Sequence, residues 1–344
     1  MPFEFIIVKN YIEMNLKEPG YLALFRSGEL ERRAQALTAH LAACDICPWC
    51  CEVDRRQGKS GFCLSGARPI LSSFCAHHGE EPALSGTRGS GTLFFGNCNM
   101  RCVYCQNFQI SQDPHHQVLN EIETAILADR MLYLQDELQC HNINLVSPTH
   151  FVPQILQALV AAVPRGLHLP LVYNTGGYDA LETIKSLDGI VDIYLPDIRY
   201  STNEIARRYS KIPDYVVHNR LAIREMYRQV GDLHTDENEI AYHGLIVRHL
   251  ILPERLAGSR SSLSWLAREI SPTLTLSVMS QYFPCHLAKQ NPPLDRTITY
   301  AEYAEVTDLL EKLGLDNGWL QEMDAPVNYL PDFSRENPFN DPPK

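Results

Sequence analysis

Two features are missing from this 344-residue sequence. No apolar run approaches the roughly 20 residues that a membrane-spanning helix requires, which argues against a membrane protein. The basic excess of nucleic-acid-binding proteins is also missing, because 41 Asp and Glu outnumber 30 Lys and Arg and give a formal net charge of −11. The first residues lack the basic, apolar and small-residue order of a signal peptide, so we expect a cytoplasmic protein without a general nucleic-acid surface.

Cysteine, in contrast, is abundant and clustered. Nine of the eleven cysteines fall between Cys44 and Cys105, and only Cys140 and Cys285 lie elsewhere. In a reducing compartment, such thiols serve in metal binding or catalysis more often than in disulfides. With 45% hydrophobic and 21% charged residues, the chain can bury a substantial core. A globular metal-binding protein is therefore the first hypothesis.

The sequence divides into four predicted parts. A helical segment at 1–43 precedes a cysteine-rich segment at 44–90, which has no long periodic stretch and would need a metal ion or cluster to hold it together. A domain of alternating strands and helices follows at 91–313. The last part, at 314–344, is Pro-rich and carries aromatic residues, which favours a packed C-terminal arm.

Short apolar runs alternate with helical patterns in the third part. The predicted strands occupy 91–97, 142–147, 169–174, 189–197, 244–252 and 273–282. The helical patterns lie near 121–139, 151–162, 178–187, 201–210, 214–230 and 261–270. This alternation predicts an α/β fold with parallel strands buried on both faces, either a barrel or a doubly wound sheet. In both folds, ligands bind at the C-terminal ends of the strands.

A C-x3-C-x2-C pattern follows the first strand of this domain. It consists of Cys98, Cys102 and Cys105. Three thiolates on a short loop can hold three corners of a cubane iron–sulfur cluster and leave the fourth iron open to another ligand. A zinc site and simple packing of the cysteines as small apolar residues are the alternatives.

This pattern and its surroundings resemble the radical S-adenosylmethionine (SAM) superfamily, in its pyruvate-formate-lyase-activating-enzyme-like (PflX-like) branch. The similar stretches span 44 to about 285 and include GEEPALSGTRGSGTLFFGNCNMRCVYCQN, IVDIYLPDIRY and VMSQYFP. The resemblance implies a partial (β/α)6 TIM-type barrel with an N-terminal helical and cysteine-rich extension and a C-terminal arm. It also implies a [4Fe–4S] cluster on the three cysteines, with SAM on its open iron. In this chemistry the reduced cluster cleaves SAM to a 5′-deoxyadenosyl radical, which abstracts hydrogen from a substrate.

The resemblance extends to partners. It implies a low-potential electron donor such as flavodoxin or ferredoxin, and a glycyl-radical enzyme as the protein substrate. Modification of a small molecule or peptide is the alternative within enzymes. An iron–sulfur redox sensor or scaffold is the non-enzyme alternative, and release of 5′-deoxyadenosine from SAM would separate the two classes.

Polar residues near the cluster loop and the strand ends are candidates for binding SAM. Tyr104 stands where the superfamily often places an aromatic residue beside the adenine. The Gly-Gly-Glu-like motif with which most relatives bind the methionine amino group is replaced here by a stretch containing Ser147, Thr149 and His150. The remaining candidates lie at later strand ends and are Asn174, Gly176, Asp197 and Arg248.

Two pairs of charged residues have alternative interpretations. Because Glu80 and Glu81 precede the predicted barrel, they are interpreted as packing or substrate-loop residues. Asp197 and Arg199 suit either a structural ion pair or the site. No catalytic residue is assigned.

A second cysteine group lies between 44 and 63. The branch that the sequence resembles has a C-x2-C-x3-C pattern followed by one more cysteine, which selects Cys44, Cys47, Cys51 and Cys63. Cys50 is then an extra thiol. Four thiolates can bind either zinc or a second [4Fe–4S] cluster, and the spacing alone does not separate the two; a group without metal is the third alternative.

Overall fold

The computed structural model describes residues 18–323, 330–335 and 337–339. Within these ranges a nine-stranded sheet forms the centre of the molecule, with helices between most of its strands. The strands are β1 (Leu71–His77), β2 (Ser90–Phe95), β3 (Ile143–Val146), β4 (Leu171–Thr175), β5 (Ile193–Pro196), β6 (His234–Thr235), β7 (Ala241–Leu250), β8 (Thr275–Met279) and β9 (Gly318–Leu320).

In the described ranges, two N-terminal helices are followed by ten that lie between or after the strands. They are α1 (Gly20–Arg26), α2 (Glu29–Ala39), α3 (Pro82–Ser85), α4 (Phe108–Ser111), α5 (Pro114–Gln117), α6 (Thr124–Asp136), α7 (Val152–Ala162), α8 (Leu181–Ser186), α9 (Asn203–Ser210), α10 (Tyr215–Val230), α11 (Ser259–Glu269) and α12 (Tyr300–Leu313). None of these described helices is long and apolar enough to cross a membrane.

The strands are joined in sequential order. The path through the sheet is β1-β2-β3-β4-β5-β7-β8-β9, and β6 pairs with β7. The pairs from β2 to β9 along this path are parallel, whereas β1 is antiparallel to β2 and β6 is antiparallel to β7. Parallel neighbours bring the C-terminal ends of β2, β3, β4, β5, β7 and β8 to one edge of the sheet, where ligands bind in such folds.

Burial on both faces explains why these runs form inner strands. Every residue of β2, β3, β4 and β5 is buried, as expected of parallel strands covered by helices. Two tight turns then direct the chain away from the sheet. Asn97 follows β2 with φ +60°, and Ser147 follows β3 with φ +57°. The left-handed conformation at Asn97 is one that a short polar side chain tolerates, and it starts the loop that carries Cys98.

The N-terminal helices are attached to the domain by packing and by a buried carboxylate. Helix α2 packs against α7. The carboxylate of Asp192 accepts one hydrogen bond from the backbone N–H of Gly20 (2.9 Å) and another from that of Leu171 (2.8 Å). One buried acid therefore joins the start of α1 to the start of β4.

These observations confirm the predicted α/β class. All six predicted strands and all six helical patterns between 121 and 270 correspond to observed elements. The sheet contains three strands that were not predicted, namely β1 in the cysteine-rich segment, β6, and β9 in the C-terminal arm. The strand order is that of a (β/α)6 barrel segment, while the barrel itself stays a prediction, as do the four part boundaries. Part of 1–43 and part of 314–344 lie outside the described residues.

Candidate functional site

The cysteine triplet lies on the loop that leaves β2. Two backbone hydrogen bonds fix this loop against the C-terminal end of α9. The N–H of Arg101 donates to the carbonyl of Ser210 (2.9 Å), and the N–H of Val103 donates to that of Tyr209 (2.8 Å). The side chain of Arg101 also donates to the carbonyl of Cys98 (2.6 Å). The loop is therefore held in place by protein contacts alone.

Each of the three sulfur atoms has a polar neighbour. The Cys98 sulfur accepts from the backbone N–H of Met100 (3.4 Å). The Cys102 sulfur accepts from the hydroxyl of Ser210 (3.0 Å), and the Cys105 sulfur lies 3.2 Å from the hydroxyl of Ser111. Hydrogen bonds to thiolate sulfur stabilise its negative charge and tune the potential of a cluster.

Electrostatic effects link the three thiols. Burial raises the pKa of Cys98, and it raises the pKa of Cys105 to about 12, with a further increase in both from the charge of neighbouring Cys102. Cysteine thiols release their protons when they bind a metal. This donor set fits an iron–sulfur cluster.

A large cavity opens beside the triplet. Its volume is about 1170 Å³, and residues between His77 and Phe339 line it. Cys105 and Tyr104 form part of its wall, and so do three other residues predicted for SAM binding, Asn174, Asp197 and Arg248. The hydroxyl of Tyr104 lies 2.7 Å from that of Tyr200, which fixes the ring against the cavity wall.

Arg248 is the centre of a charged network in this cavity. Its Nε donates to Asp197 (2.9 Å), its Nη2 donates to the amide oxygen of Asn174 (2.6 Å), and its Nη1 lies 3.7 Å from Glu80. Arg199 forms an ion pair with the same Asp197 and places its Nη1 4.0 Å from the Cys102 sulfur. The network therefore extends from the middle of the sheet to the cysteine triplet.

Glu80 and Glu81 belong to this network, although they were predicted to be packing or substrate-loop residues. Because β1 is antiparallel to β2, the loop after β1 turns back and places both carboxyl groups in the cavity. Burial raises the pKa of both, that of Glu81 to about 7. Oε2 of Glu81 has no hydrogen-bond partner among the described residues, and neither amide atom of buried Asn144 has one. The sequence signal that could have identified these residues is the pair of adjacent acids before a proline, in a segment with few other charges.

Two residues predicted for SAM binding point elsewhere. The hydroxyl of Thr149 donates to Asp179 (2.7 Å), inside a buried network that also includes Thr175 and Tyr173. The ring of His150 contacts the carbonyl of Gly96 through Nε2 (3.0 Å), and its Nδ1 has no partner among the described atoms. Neither residue lines the large cavity.

Ser147 and Gly176 are positioned by the backbone. The N–H of Ser147 donates to the carbonyl of Asn174 (2.9 Å), which extends the pairing of β3 and β4 by one residue. A Cβ atom at Gly176 would lie 2.7 Å from the sulfur of Met100, so a larger residue here would require the Met100 side chain on the cysteine loop to move. Both residues border the site without lining its large cavity.

The second cysteine group lines a small cavity of its own. Cys44, Cys47, Cys51 and Cys63 share it with Arg55 and His150. Burial raises the pKa of Cys47, and the charges of Cys63, Cys44 and Cys51 raise it further. A Cβ atom at Gly61 would collide with the Cys51 sulfur. The four thiols that the resemblance selects are thus brought together.

Two further cysteines lie apart from this group. Cys50 is exposed and turns its sulfur toward the carbonyl of Cys47 (3.7 Å), and Cys75 is buried in β1. All eleven cysteines fall within residues 18–323, and all of them are free thiols there.

A zinc ion and an iron–sulfur cluster require different distances between their cysteine sulfur atoms. Zn–S bonds of about 2.3 Å in a tetrahedral site place the sulfur atoms about 3.8 Å apart. In the part of the chain that the structure describes, no three His, Cys, Asp or Glu side chains are grouped to hold a single metal ion. A cubane cluster holds its cysteines farther apart, because each binds a different iron atom.

Comparisons with known proteins place the chain in a family. No protein-family model matches it. It is 31% identical over 286 residues to uncharacterized protein MJ0674 of Methanocaldococcus jannaschii, covering 79% of this chain and 75% of that protein. It is 24% identical over 159 residues to uncharacterized protein MJ0808 of the same organism, covering 42% of this chain and 46% of that protein.

Among solved structures, TYW1 with a lysine-pyruvate adduct bound is similar with a TM-score of 0.39 and 9% identity, over 68% of this chain and 78% of that one. This structural similarity is too weak to support an argument about fold or activity. The similarity to MJ0674 is extensive in both chains. The chain therefore belongs to the same protein family as MJ0674 of Methanocaldococcus jannaschii.

Proposed function

We propose that this protein is a radical SAM enzyme. The observation that carries the proposal is the convergence of Cys98, Cys102 and Cys105 on one loop, each sulfur with a polar neighbour, at the wall of a large cavity. Three thiolates fill three coordination positions of a cubane and leave one iron open. A purely structural or electron-carrying site would normally complete the fourth ligand from the protein.

The residues around the loop suit the cofactors. Cys98, Cys102 and Cys105 would hold a [4Fe–4S] cluster, and Tyr104 together with the polar strand ends would bind SAM. When bound, these groups supply reductive cleavage of SAM to a 5′-deoxyadenosyl radical. The protein contributes orientation and charge. Arg199 places positive charge near the Cys102 sulfur, and the ion pair with Asp197 fixes that guanidinium.

A second metal centre belongs to the proposal. Cys44, Cys47, Cys51 and Cys63 line one cavity and would supply all four ligands. Four thiolates can bind either a [4Fe–4S] cluster or zinc, and we propose a [4Fe–4S] cluster here with zinc as the alternative. Such a centre has no open position, so it would hold the cysteine-rich segment together and leave SAM chemistry to the triplet.

The cavity has room for a substrate beside SAM. Its volume of about 1170 Å³ exceeds the roughly 300–1,000 Å³ of ordinary ligand pockets. We propose a protein segment as the substrate, with a glycyl-radical enzyme as the partner and flavodoxin or ferredoxin as the electron donor in the cytoplasm. A small molecule or free peptide is the alternative, since fold and family do not specify a substrate.

Spectroscopy of the reconstituted protein tests the proposal. The sample is the anaerobic full chain, reduced with dithionite and measured by electron paramagnetic resonance with and without SAM. We expect SAM to change the spectrum of a [4Fe–4S] cluster in the wild type and in Cys50→Ala. The Cys98→Ala/Cys102→Ala/Cys105→Ala variant should lose this change. A cluster whose spectrum does not change on addition of SAM would favour the alternative function, an iron–sulfur redox sensor.

A further inference from the structure

Arg55 is a fully buried arginine without a carboxylate partner. Its side chain is 1% exposed. Nε and Nη2 donate to the carbonyl of Gly66 (2.9 and 2.7 Å), and Nη1 donates to the carbonyl of His150 (2.7 Å). Among the described residues, no Asp or Glu forms an ion pair with Arg55. Carbonyl groups satisfy its hydrogen bonds, but they carry no net charge.

A buried guanidinium of this kind needs a negative charge nearby. Arginine keeps its proton inside proteins, so it cannot escape burial by becoming neutral. An uncompensated buried charge is strongly unfavourable. The second cysteine group can supply this negative charge. Nη1 of Arg55 lies 3.9 Å from the Cys44 sulfur, and Arg55 lines the small cavity that the four cysteines share. Neutral thiols would leave this arginine uncompensated.

We propose that Arg55 is the counter-ion of an anionic iron–sulfur centre held by Cys44, Cys47, Cys51 and Cys63. The inference rests on the second centre of the proposed function and adds its charge and the residue that balances it. Metal binding converts the thiols to thiolates, and four thiolates around a cluster give a net negative charge. Arg55 touches no reacting atom; it is a positioning residue that stabilises this charge.

The contacts of Arg55 also explain where the charge acts. Its Nη1 is shared between the Cys44 sulfur and the carbonyl of His150, and the ring of His150 contacts Gly96 just before the cysteine triplet. The guanidinium thus joins the second centre to the end of β3. A positive charge at this place stabilises the reduced, more negative form of the cluster and raises its midpoint potential.

The test isolates the second centre. In the full chain, Cys98, Cys102 and Cys105 are replaced by Ala, so that only the second group can hold iron. Into this parent are introduced Arg55→Met, which removes the charge, and Arg55→Lys, which keeps it. Arg56→Met is the matched control, because Arg56 is exposed and pairs with Asp54. Iron content, circular dichroism and the midpoint potential are measured for each.

We expect Arg55→Met to make reduction of the centre at least tenfold less favourable, a shift of about 59 mV or more to lower potential for one electron. Arg55→Lys should shift it less, and Arg56→Met should leave it unchanged. If Arg55→Met folds but loses its iron while Arg55→Lys keeps it, the counter-ion role is also supported.

Three results would overturn the proposal. An unchanged potential in Arg55→Met means that the charge is balanced elsewhere, although the second centre exists. Equal loss of iron from Arg55→Lys and Arg55→Met means that the shape of arginine matters and its charge does not. A parent that binds zinc or no metal removes the second iron–sulfur centre itself, and it leaves the proposal for the cysteine triplet untouched.

Discussion

Arg248 and Asp197 form a 2.9 Å ion pair between the ends of two strands that are neighbours in the sheet, although 51 residues separate them in sequence. The same guanidinium bonds Asn174 and faces Glu80, and the same carboxylate bonds Arg199. Both the guanidinium of Arg248 and the carboxylate of Asp197 therefore interact with more than one partner. The interior of the site is therefore a connected charge network, and removing Arg248 leaves Glu80 without its cation and Asp197 with Arg199 alone.

The first prediction concerns this network. Arg248→Met should lower the free energy of unfolding by about 3 kcal/mol, because it leaves Glu80 without its cation and Asp197 with Arg199 alone. Urea denaturation measures this loss. Arg255→Met is the control, since Arg255 forms an exposed pair with Glu305 and should change stability little. Equal stability of the two variants would show that the network is not a buried, coupled one.

The second prediction concerns the pH dependence of stability. The pKa of Glu81 rises from its ordinary value of 4.5 to about 7, chiefly because of burial. Between these values the folded protein holds a proton that the unfolded chain releases, so stability falls as pH increases from about 4.5 to about 7. Glu81→Gln should remove part of this slope and gain stability relative to the wild type at pH 8. Thermal unfolding from pH 4 to 8 measures the effect, and parallel curves would contradict it.

The third prediction concerns the cysteine-rich segment. In metal-loaded protein, Cys47→Ala should increase proteolysis between residues 44 and 75, because a buried ligand is lost from a segment that depends on its metal. Cys50→Ala should be nearly silent, since Cys50 is exposed and outside the ligand set. Limited proteolysis with mass spectrometry compares the two. Similar cleavage of both variants would mean that the segment is held by packing alone.

Most of the sheet was predictable because its strands are buried on both faces. Runs such as NINLVS and LPLVYN are short and rich in apolar residues, and they coincide with strands β3 and β4. The helices between these strands show the helical period because one face of each helix is more deeply buried than the other. The cysteine triplet was predictable from its spacing, since the loop that joins the three thiols is local in sequence.

The unpredicted features depend on contacts that are distant in sequence. Strand β1 has a mixed pattern of burial and forms only by pairing with β2, and β9 has three residues that pair with β8. The position of Glu80 and Glu81 follows from the direction of β1. Thr149 lies at a strand end as expected, but the buried carboxylate of Asp179 attracts its hydroxyl. No local pattern contains this information.

The central claim is that Cys98, Cys102 and Cys105 support radical SAM chemistry, and the most direct measurement is 5′-deoxyadenosine released from SAM. Reconstituted protein is incubated anaerobically with dithionite and SAM, and the product is quantified by chromatography and mass spectrometry. We expect the wild type and Cys50→Ala to release 5′-deoxyadenosine. Cys98→Ala, Cys102→Ala and Cys105→Ala should release none above background. Full release by all three single variants, or no release by a wild type that carries its cluster, would contradict the claim.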